Sequence, residues 1–286
     1  MKKTYNNLAV TVFEAKEANV NAFIFSDGQS TVIVDTTRSS KEAKDLAALA
    51  RTQGPDPETI FVTHGHPDHY LGMRALKAEF PGAQILVPTQ AVKDDIIGFT
   101  QFMESVQWLE GEPSMKIKSA SNPNGFDYHN EIKVLDSDQL KLKGNSVIEV
   151  KTISSVTEAS HETVLYSKDL NAVFASDLVY NRVHLWLGVG VTLEAIKNWQ
   201  AELDQLKSVY GPLAATVYPG HGKATDASIF DTNKNYMNDL LAIVQEAKNQ
   251  DEAKERMIRK YPGWANADFL LVQSIKFQTE LLVGAK

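Results

Sequence analysis

Cysteine is absent from all 286 residues. Its absence excludes disulfides, thiolate nucleophiles and cysteine-ligated zinc or iron–sulfur sites, so a bound metal would have to be held by His, Asp or Glu. Long apolar runs are missing as well, since no segment approaches the roughly 20 residues that a membrane-spanning helix needs. Basic residues are outnumbered, with 29 Lys and Arg against 36 Asp and Glu and a net charge of −7. Because nucleic-acid surfaces need clustered Lys and Arg, we expect neither a nucleic-acid partner nor a membrane partner.

Several common catalytic and nucleotide-binding patterns are also lacking. There is no Gly-x-x-x-x-Gly-Lys-Ser/Thr loop and no Gly-x-Gly-x-x-Gly segment after a strand, which argues against a nucleotide site. The missing Gly-x-Ser-x-Gly turn argues against a serine hydrolase. The N-terminal Met1-Lys2-Lys3 is not followed by the apolar core of a signal peptide. We therefore expect a cytoplasmic protein, or a periplasmic one if a leader has been removed.

Strand-like and helix-like patterns alternate along the chain. The β-rich runs Asn21–Phe25, Thr31–Asp35 and Thr59–Thr63 are separated by a turn and by a helical pattern over Ser39–Arg51. Further short strands follow, and the chain beyond the last of them is mainly helical. This alternation predicts an α/β sandwich rather than an all-β fold. Because no linker or internal repeat divides the sequence, we predict a single domain over residues 1–286.

Three of the seven histidines lie close together in the segment His64-Gly65-His66-Pro67-Asp68-His69. The segment follows a predicted strand and precedes a predicted helix over Leu71–Phe80, so its side chains project from a loop between rigid supports. The first two histidines, two positions apart, can point the same way and bind one metal ion, while the Asp–His pair can turn toward a second. Imidazole and carboxylate ligands suit zinc, and also iron or manganese. The segment therefore predicts a metal site.

The longer segment Thr63–Gly72, THGHPDHYLG, resembles the signature of the metallo-β-lactamase superfamily of metallohydrolases. Three other segments fall in that superfamily's order along the chain. Val34-Asp35-Thr36 resembles the end of its opening strand pair, Phe174–Asp177 its Gly-Asp strand end, and Tyr218–Gly222 its late Pro-Gly-His-Gly loop. The resemblance spans residues 21 to 222. It implies a four-layer αβ/βα sandwich with metal ions at one sheet edge.

The resemblance also implies a role for each matching residue. Asp35 would lie behind the ligands and orient the motif loop, as outer carboxylates do for metal-binding histidines. Asp68 and Asp177 would also be catalytic, because carboxylates beside the ions can pass on a proton. The implied metal ligands are His64 and His66 for the first ion, Asp68, His69 and His221 for the second ion, and Asp177 bridging both.

The third ligand of the first ion departs from the superfamily pattern. Most members place a His there, in a Gly-His-Thr-like loop before a strand, whereas this chain has Thr157-Glu158-Ala159-Ser160-His161. The Thr-Glu-Ala part resembles the alkylsulfatase branch, in which a glutamate binds the metal, so Glu158 is the favoured ligand. His161 is the alternative ligand, or else a neighbour of the site. A glutamate ligand would favour manganese or iron somewhat.

Aromatic and histidine side chains just beyond Asp177 are candidates for substrate contacts. Tyr180, His184 and Trp186 follow it closely in the chain, so we expect them to line the pocket beyond the predicted metal edge. For Trp186, packing in the core is an equally good interpretation.

Two segments fall outside the superfamily's motifs. A lid insertion is predicted around residues 89–130, where Phe99, Phe102 and Trp108 are either an apolar substrate wall or packing residues of the helix. A helical C-terminal extension is predicted over residues 226–286. Its amphipathic pattern suits packing on the core and a homodimer face equally well.

Together these patterns predict a dinuclear metal-dependent hydrolase acting on a small molecule. Two Zn²⁺ ions, with Mn²⁺ or Fe²⁺ as alternatives, would convert water to a metal-bound hydroxide that attacks a small ester, lactone, lactam or sulfate ester. Two alternatives stay open. One is a mononuclear iron oxidoreductase resembling the persulfide dioxygenases of the same superfamily, and the other is a metal-binding module without turnover.

Overall fold

The computed structural model describes residues 2–5 and 7–284. Backbone contacts divide the chain into two compact units. The first comprises the chain up to Ile153 together with Thr163–Asn171, and the second comprises Ser154–Glu162 and the chain from Ala172 onward. The predicted single domain includes residues 1, 6, 285 and 286, which lie outside the described residues. Its extent stays a prediction.

The first unit is built on a seven-stranded sheet whose strand order follows the sequence. Its strands are β1 (Lys2–Tyr5), β2 (Leu8–Glu14), β3 (Asn21–Ser26), β4 (Thr31–Val34), β5 (Thr59–Phe61), β6 (Gln84–Val87) and β7 (Ile132–Val134). The strands β1 to β4 pair antiparallel, and β4 to β7 pair parallel. Every residue of β3 and β4 is buried, as in strands that are covered on both faces.

Helices connect the parallel strands of this sheet. They are α1 (Ser40–Ala50), α2 (Pro67–Tyr70), α3 (Met73–Glu79), α4 (Gln90–Ser105) and α5 (Tyr128–Glu131), with a 3-10 turn at Pro113–Met115. Side-chain oxygens cap two of the longer helices: Ser39 accepts from the backbone N–H of Glu42, and Thr89 accepts from that of Val92. The buried face of α1 packs on α3. The predicted lid region 89–130 therefore contains α4, the 3-10 turn and α5.

A second group of strands follows in the chain. The strands β8 (Gln139–Lys141) and β9 (Val147–Ile153) pair antiparallel, and β9 has β10 (Glu162–Ser167) as its other neighbour. All of β10 except its first residue belongs to the first unit. The peptide between β9 and β10 carries Glu158 and belongs to the second unit.

The second unit combines short parallel strand pairs with long helices. Its elements are β11 (Ala172–Phe174), a 3-10 turn (Ser176–Leu178), β12 (Tyr180–Asn181), α6 (Leu193–Tyr210), β13 (Thr216–Tyr218), β14 (His221–Gly222), α7 (Ser228–Glu246), α8 (Gln250–Lys260), a π-helical turn (Ala267–Leu271) and α9 (Val272–Gly284). Parallel pairing joins β11 to β13 and β12 to β14. These pairings bring the ends of β11 and β13, and the residues just after them, to the same edge.

The C-terminal helices pack against one another within the second unit. Helix α9 contacts both α7 and α8, and Leu271 and Ile275 are buried in that packing. The Gln278 Nε2 atom donates to the carbonyl oxygens of Leu187 and Val191, at 2.7 and 2.8 Å. The amphipathic C-terminal pattern is therefore used for packing inside the unit. None of the helices within residues 2–5 and 7–284 has both the length and the apolar character needed to cross a membrane.

Candidate metal centre

The histidine-rich loop lies in the first unit, between β5 and α2. His66 occupies the position just before α2, and Pro67 begins the helix, where its missing N–H costs nothing. A Cβ atom on Gly65 would lie 2.8 Å from the Cβ of Asp95 on α4. Glycine at this position therefore allows the loop to pass directly against α4.

The three motif histidines cluster within this loop. The ring centroids of His64 and His66 are 5.0 Å apart, and those of His64 and His69 are 4.2 Å apart. His64 and His69 are fully buried, and His66 is half-buried. Potential ligand atoms of His64 and His66 lie within 4.8 Å of each other, as do those of Asp68 and His69. The two pairs predicted from sequence are thus present in the loop.

Asp35 and Thr63 orient two of these imidazoles. Asp35 Oδ2 lies 2.8 Å from His69 Nδ1, and Asp35 Oδ1 accepts from the backbone N–H of Thr63 at 2.9 Å. The Thr63 hydroxyl lies 3.0 Å from both carboxylate oxygens of Asp35 and 3.0 Å from His64 Nδ1. The Asp35 carboxylate only accepts hydrogen bonds, so both His69 Nδ1 and the Thr63 hydroxyl donate to it. Because the hydroxyl has given its one proton to Asp35, it accepts from His64 Nδ1. The ring proton of each histidine is therefore on Nδ1. Nε2 is then the ligand atom of both.

The second unit contains two buried carboxylates. Asp177 lies in the 3-10 turn after β11 and is 1% exposed, and Glu158 is 4% exposed. Potential ligand atoms of these two side chains lie within 4.8 Å of each other. His221, in β14, places its Nε2 atom 3.1 Å from Asp177 Oδ2. A Cβ atom on Gly220 would lie 1.9 Å from Asp177 Oδ1, so glycine is required beside this carboxylate.

The loop before β10 carries both candidates for the third ligand of the first ion, Glu158 and His161. A hydrogen bond from the Thr157 N–H to the Ala159 carbonyl oxygen, 3.0 Å long, closes a tight turn around Glu158. Glu158 is buried beside Asp177, whereas His161 is half-buried and falls in no group of potential ligands among the described residues. This geometry favours Glu158 over His161.

Tyr180 connects the carboxylates of the second unit. Its hydroxyl lies 3.0 Å from Asp177 Oδ2 and 3.4 Å from Glu158 Oε1, where it donates. Its ring stacks on that of His221, with the centroids 4.6 Å apart and the planes 6° from parallel. Asn233 on α7 bonds both the N–H and the C=O of Tyr180, at 2.7 and 2.8 Å. The sequence placed Tyr180 near the site, but no local pattern points to Asn233.

His184 and Trp186 have their main contacts with the C-terminal helices. His184 is buried, with its Nδ1 atom 2.8 Å from the hydroxyl of Tyr236, and burial lowers the pKa of His184 to about 4. Trp186 stacks on Phe269, with the ring centroids 6.1 Å apart. A role for either residue in a substrate pocket stays a prediction.

The donor set fits divalent metal ions. Imidazole nitrogens and carboxylate oxygens are the ligands of zinc, iron and manganese in proteins without cysteine sites. The hydrogen-bonded Nδ1 atoms of His64 and His69 are typical of histidines that bind metal through Nε2. The two buried carboxylates, within 4.8 Å of each other, supply anionic ligands of the kind that such ions neutralise.

Comparison with known proteins identifies the family. The sequence profile of the Metallo-beta-lactamase superfamily matches residues 15–221. One curated relative, the hydroxyacylglutathione hydrolase of Stenotrophomonas maltophilia (strain R551-3), is 32% identical over 83 residues, which are 29% of this chain. The match spans only 31% of the length of that relative.

Solved structures support the same assignment at the level of the fold. The DIM-1 metallo-β-lactamase exposed to ceftazidime is similar over 82% of this chain and 94% of its own, with a TM-score of 0.55 and 17% identity. A metallo-β-lactamase from Pontibacter korlensis covers 81% and 94%, with a TM-score of 0.54 and 18% identity. At these identities the likeness confirms the predicted α/β fold and nothing finer. The chain therefore belongs to the metallo-β-lactamase superfamily and has its fold.

Proposed function

We propose that this chain is a dinuclear metal-dependent hydrolase. The observation that carries the proposal is the orientation of the motif histidines, because Asp35 and Thr63 make Nε2 the ligand atom of both His64 and His69. The resemblance of the sequence motifs supplies the proposed ligands, which are His64, His66, Glu158 and Asp177 for one ion, and Asp68, His69 and His221, with Asp177 shared, for the other.

The buried carboxylates of the second unit support a site for cations. Glu158 and Asp177 are both nearly inaccessible to solvent, and two like charges this close repel each other strongly when they are desolvated. The Tyr180 hydroxyl donates to both carboxylates, and His221 Nε2 lies 3.1 Å from Asp177 Oδ2. Bound divalent cations would also neutralise this concentrated negative charge, so these residues suit metal binding.

The proposed reaction uses the carboxylates for proton transfer. Divalent ions, when bound, would lower the pKa of a water molecule and polarise the substrate carbonyl. Asp68, or Asp177 as the alternative, would accept the proton that the attacking water loses as its oxygen bonds to the carbonyl carbon. The bond from this carbon to the leaving oxygen then breaks, and the proton passes to the leaving group. Tyr180 keeps the two carboxylates of the second unit in place throughout.

A small ester or lactone is the proposed substrate. The relative named hydroxyacylglutathione hydrolase supports hydrolysis of an acyl compound, although the match spans less than a third of its length. Lactams and sulfate esters remain within the same class of hydrolysis. The glutamate in the Thr157–Ala159 turn is the feature that resembles the alkylsulfatase branch.

Metal content by elemental analysis tests the proposal and the identity of the third ligand. We expect about two zinc or manganese ions per wild-type chain. We expect about one in Glu158→Ala, and an unchanged content in His161→Ala, which is the matched control from the same loop. Hydrolysis of nitrophenyl acetate by the wild type loaded with Zn²⁺ or Mn²⁺ should accompany the higher content.

Two outcomes would contradict the proposal. A single iron per chain that neither substitution changes would overturn the dinuclear site and favour the mononuclear oxidoreductase. Two ions per chain without hydrolysis of nitrophenyl esters, lactones, lactams or sulfate esters would overturn the hydrolase and favour a metal-binding module without turnover.

A further inference from the structure

A row of aromatic rings leads from the histidine loop to the surface of the first unit. The ring centroid of His66 lies 5.8 Å from that of Phe99, which lies 5.9 Å from that of Phe102. The Phe102 centroid lies 5.5 Å from that of Trp108. Each pair meets edge to face, as favoured for aromatic contacts. We name Phe99, Phe102 and Trp108 the aromatic row.

Phe99 packs against the core of the first unit, whereas Phe102 and Trp108 lie outside the buried side of α4. That side consists of Val92, Ile96, Ile97, Thr100 and Met103, all of them buried. Exposure rises along the row, from half-buried Phe99 to Phe102 at 46% and Trp108 at 62%. Contiguous exposed aromatic surface of this kind is typical of a binding surface rather than of a core.

The backbone around Trp108 keeps its ring at the surface. Helix α4 ends at Ser105, and Gln107 takes a left-handed φ of 61°. The N–H of Trp108 then bonds the carbonyl oxygen of Met103, at 2.9 Å. Leu109, the next residue, is fully buried and anchors the turn.

The aromatic row is held rigidly against the histidine loop. Gly65 lets the loop contact Asp95 and the backbone of α4 directly. The hydroxyls of Tyr70 in α2 and Thr100 in α4 are hydrogen-bonded at 2.8 Å, and both residues are buried. Because these contacts join α2 to α4, the row keeps a fixed position relative to His66.

The charge around the aromatic row is unsuited to an anion. From Gly98 to Gly111 the chain has two acidic residues, Glu104 and Glu110, and no Lys or Arg. Glu104 accepts from the backbone N–H of Ile117, and Glu110 pairs with Lys116 at 2.7 Å. The segment that carries the aromatic row therefore has no basic side chain, and the neighbouring Lys116 is neutralised by Glu110. This segment suits a neutral chain and disfavours a carboxylate.

We propose that the aromatic row binds the neutral, apolar acyl chain of the substrate, so that the enzyme prefers medium-chain aliphatic esters or lactones. This rests on the proposed hydrolase function, because it assigns the chain end of a molecule whose carbonyl lies at the metal site. Phe102 and Trp108 are then specificity-determining residues. The enzyme should prefer substrates with longer acyl chains and should disfavour acyl groups that carry a negative charge.

Kinetics with a series of nitrophenyl esters, from acetyl to octanoyl, tests this inference on the metal-loaded full-length chain. We expect the wild-type kcat/KM to rise with acyl length, and to be lower for a hemisuccinyl ester than for the butyryl ester. Phe102→Ala and Trp108→Ala should each lose about tenfold in kcat/KM with the octanoyl ester and less with shorter ones. Ile258→Ala, an exposed apolar residue on α8, is the control and should keep the wild-type dependence on length.

A binding measurement separates this inference from the proposed function. Titration with 2-octanone, a neutral apolar ketone, should shift the tryptophan fluorescence of the wild type to shorter wavelength, and Trp108→Phe should lack that shift. If 2-octanone shifts the fluorescence but no ester is hydrolysed, the proposed hydrolase function is overturned and the proposed binding surface is supported. Hydrolysis with no dependence on acyl length, in the wild type as in the variants, would overturn the binding surface alone.

A second copy of the chain is the competing occupant of the aromatic row. Analytical ultracentrifugation of the wild type and Trp108→Ala distinguishes the two. Equal sedimentation of both is the expected result. A wild-type dimer that becomes monomeric in Trp108→Ala, with no effect on length selectivity, would overturn the inference in favour of a subunit interface.

Discussion

Asp35 has an unusual left-handed backbone conformation, and the contacts of its side chain explain why that conformation is kept. Its φ of 61° is left-handed, a conformation that Asp and Asn tolerate better than most residues, and its carboxylate accepts from Thr63 and lies 2.8 Å from His69 Nδ1. Asp35→Asn keeps the shape and the backbone preference but removes the charge. We expect metal affinity to fall about 10- to 100-fold, as for other outer partners of metal-binding histidines. Competition with a zinc chelator measures the zinc affinity of the variant and of the wild type.

The matched control is Asp45→Asn, an exposed carboxylate on α1 that pairs only with Lys41 in the described contacts. It should bind zinc like the wild type. Equal zinc affinity of Asp35→Asn and the wild type would mean that the hydrogen bond to His69 does not set the ligand's orientation.

Some contacts of the site residues could be predicted from the sequence and others could not, because the contacting residues are either close together or far apart along the chain. The histidine loop is local in sequence, so its spacing alone indicated which side chains would meet. Tyr180 was placed near the site by its distance from Asp177 along the chain, but its bond to Glu158 depends on how two distant segments pack. Asn233, which holds the backbone of Tyr180, lies on α7 and has no local signal at all.

At the level of elements, Gly65 sets the contact between the histidine loop and α4. Gly65→Ala would place a Cβ atom 2.8 Å from the Asp95 Cβ and 3.2 Å from backbone atoms of Asp95 and Ile96. Because two of these contacts are with the backbone of a helix, relief requires moving α4. We expect unfolding by urea to show a loss of about 1–3 kcal/mol, typical of overpacking.

Gly98→Ala is the matched control on the same helix. An added Cβ there meets nothing within 4 Å, and alanine is favoured over glycine inside a helix by about 0.5–1 kcal/mol. It should therefore stabilise the protein. If Gly65→Ala were as stable as Gly98→Ala, the loop and α4 would not be in the tight contact described above.

In the predicted lid region, the apolar residues from about Ala91 to Glu112 have helical spacing, which predicts a helix over that range. The structure begins α4 at Gln90, within one residue of that expectation, where the Thr89 side chain caps the helix. It ends α4 at Ser105, seven residues early, where Gln107 turns left-handed so that Leu109 can be buried. Tertiary packing decides where α4 ends, and the spacing of apolar residues along the sequence does not indicate that packing.

At the level of the whole molecule, the alternation of strands and helices was sufficient to predict the α/β class. The division into two compact units was not predictable in the same way. Ser154–Glu162 belongs to the second unit although β9 before it and nearly all of β10 after it belong to the first. Nearness in sequence therefore does not indicate that Glu158 would lie beside Asp177, whereas the resemblance to the alkylsulfatase loop did indicate it.

Global stability should decrease in mild acid because His184 is buried in its neutral form. Burial lowers its pKa from 6.5 to about 4, so between these pH values the unfolded chain binds a proton that the folded chain does not. Stability from this residue is complete above pH 6.5 and is lost as the pH falls toward 4, by about 3 kcal/mol in total. Urea unfolding of the wild type and His184→Gln at pH 7.5 and 4.5 measures the effect as a difference between the two proteins.

His184→Gln should lose stability at pH 7.5, because the contacts of the imidazole with Tyr236 and Trp264 are replaced, but it should show a smaller loss on acidification than the wild type. His129→Gln, at an exposed position, is the control and should lose as much stability on acidification as the wild type. Identical pH dependence of His184→Gln and the wild type would place the acid sensitivity elsewhere. The C-terminal helices would then not be stabilised by keeping this imidazole uncharged.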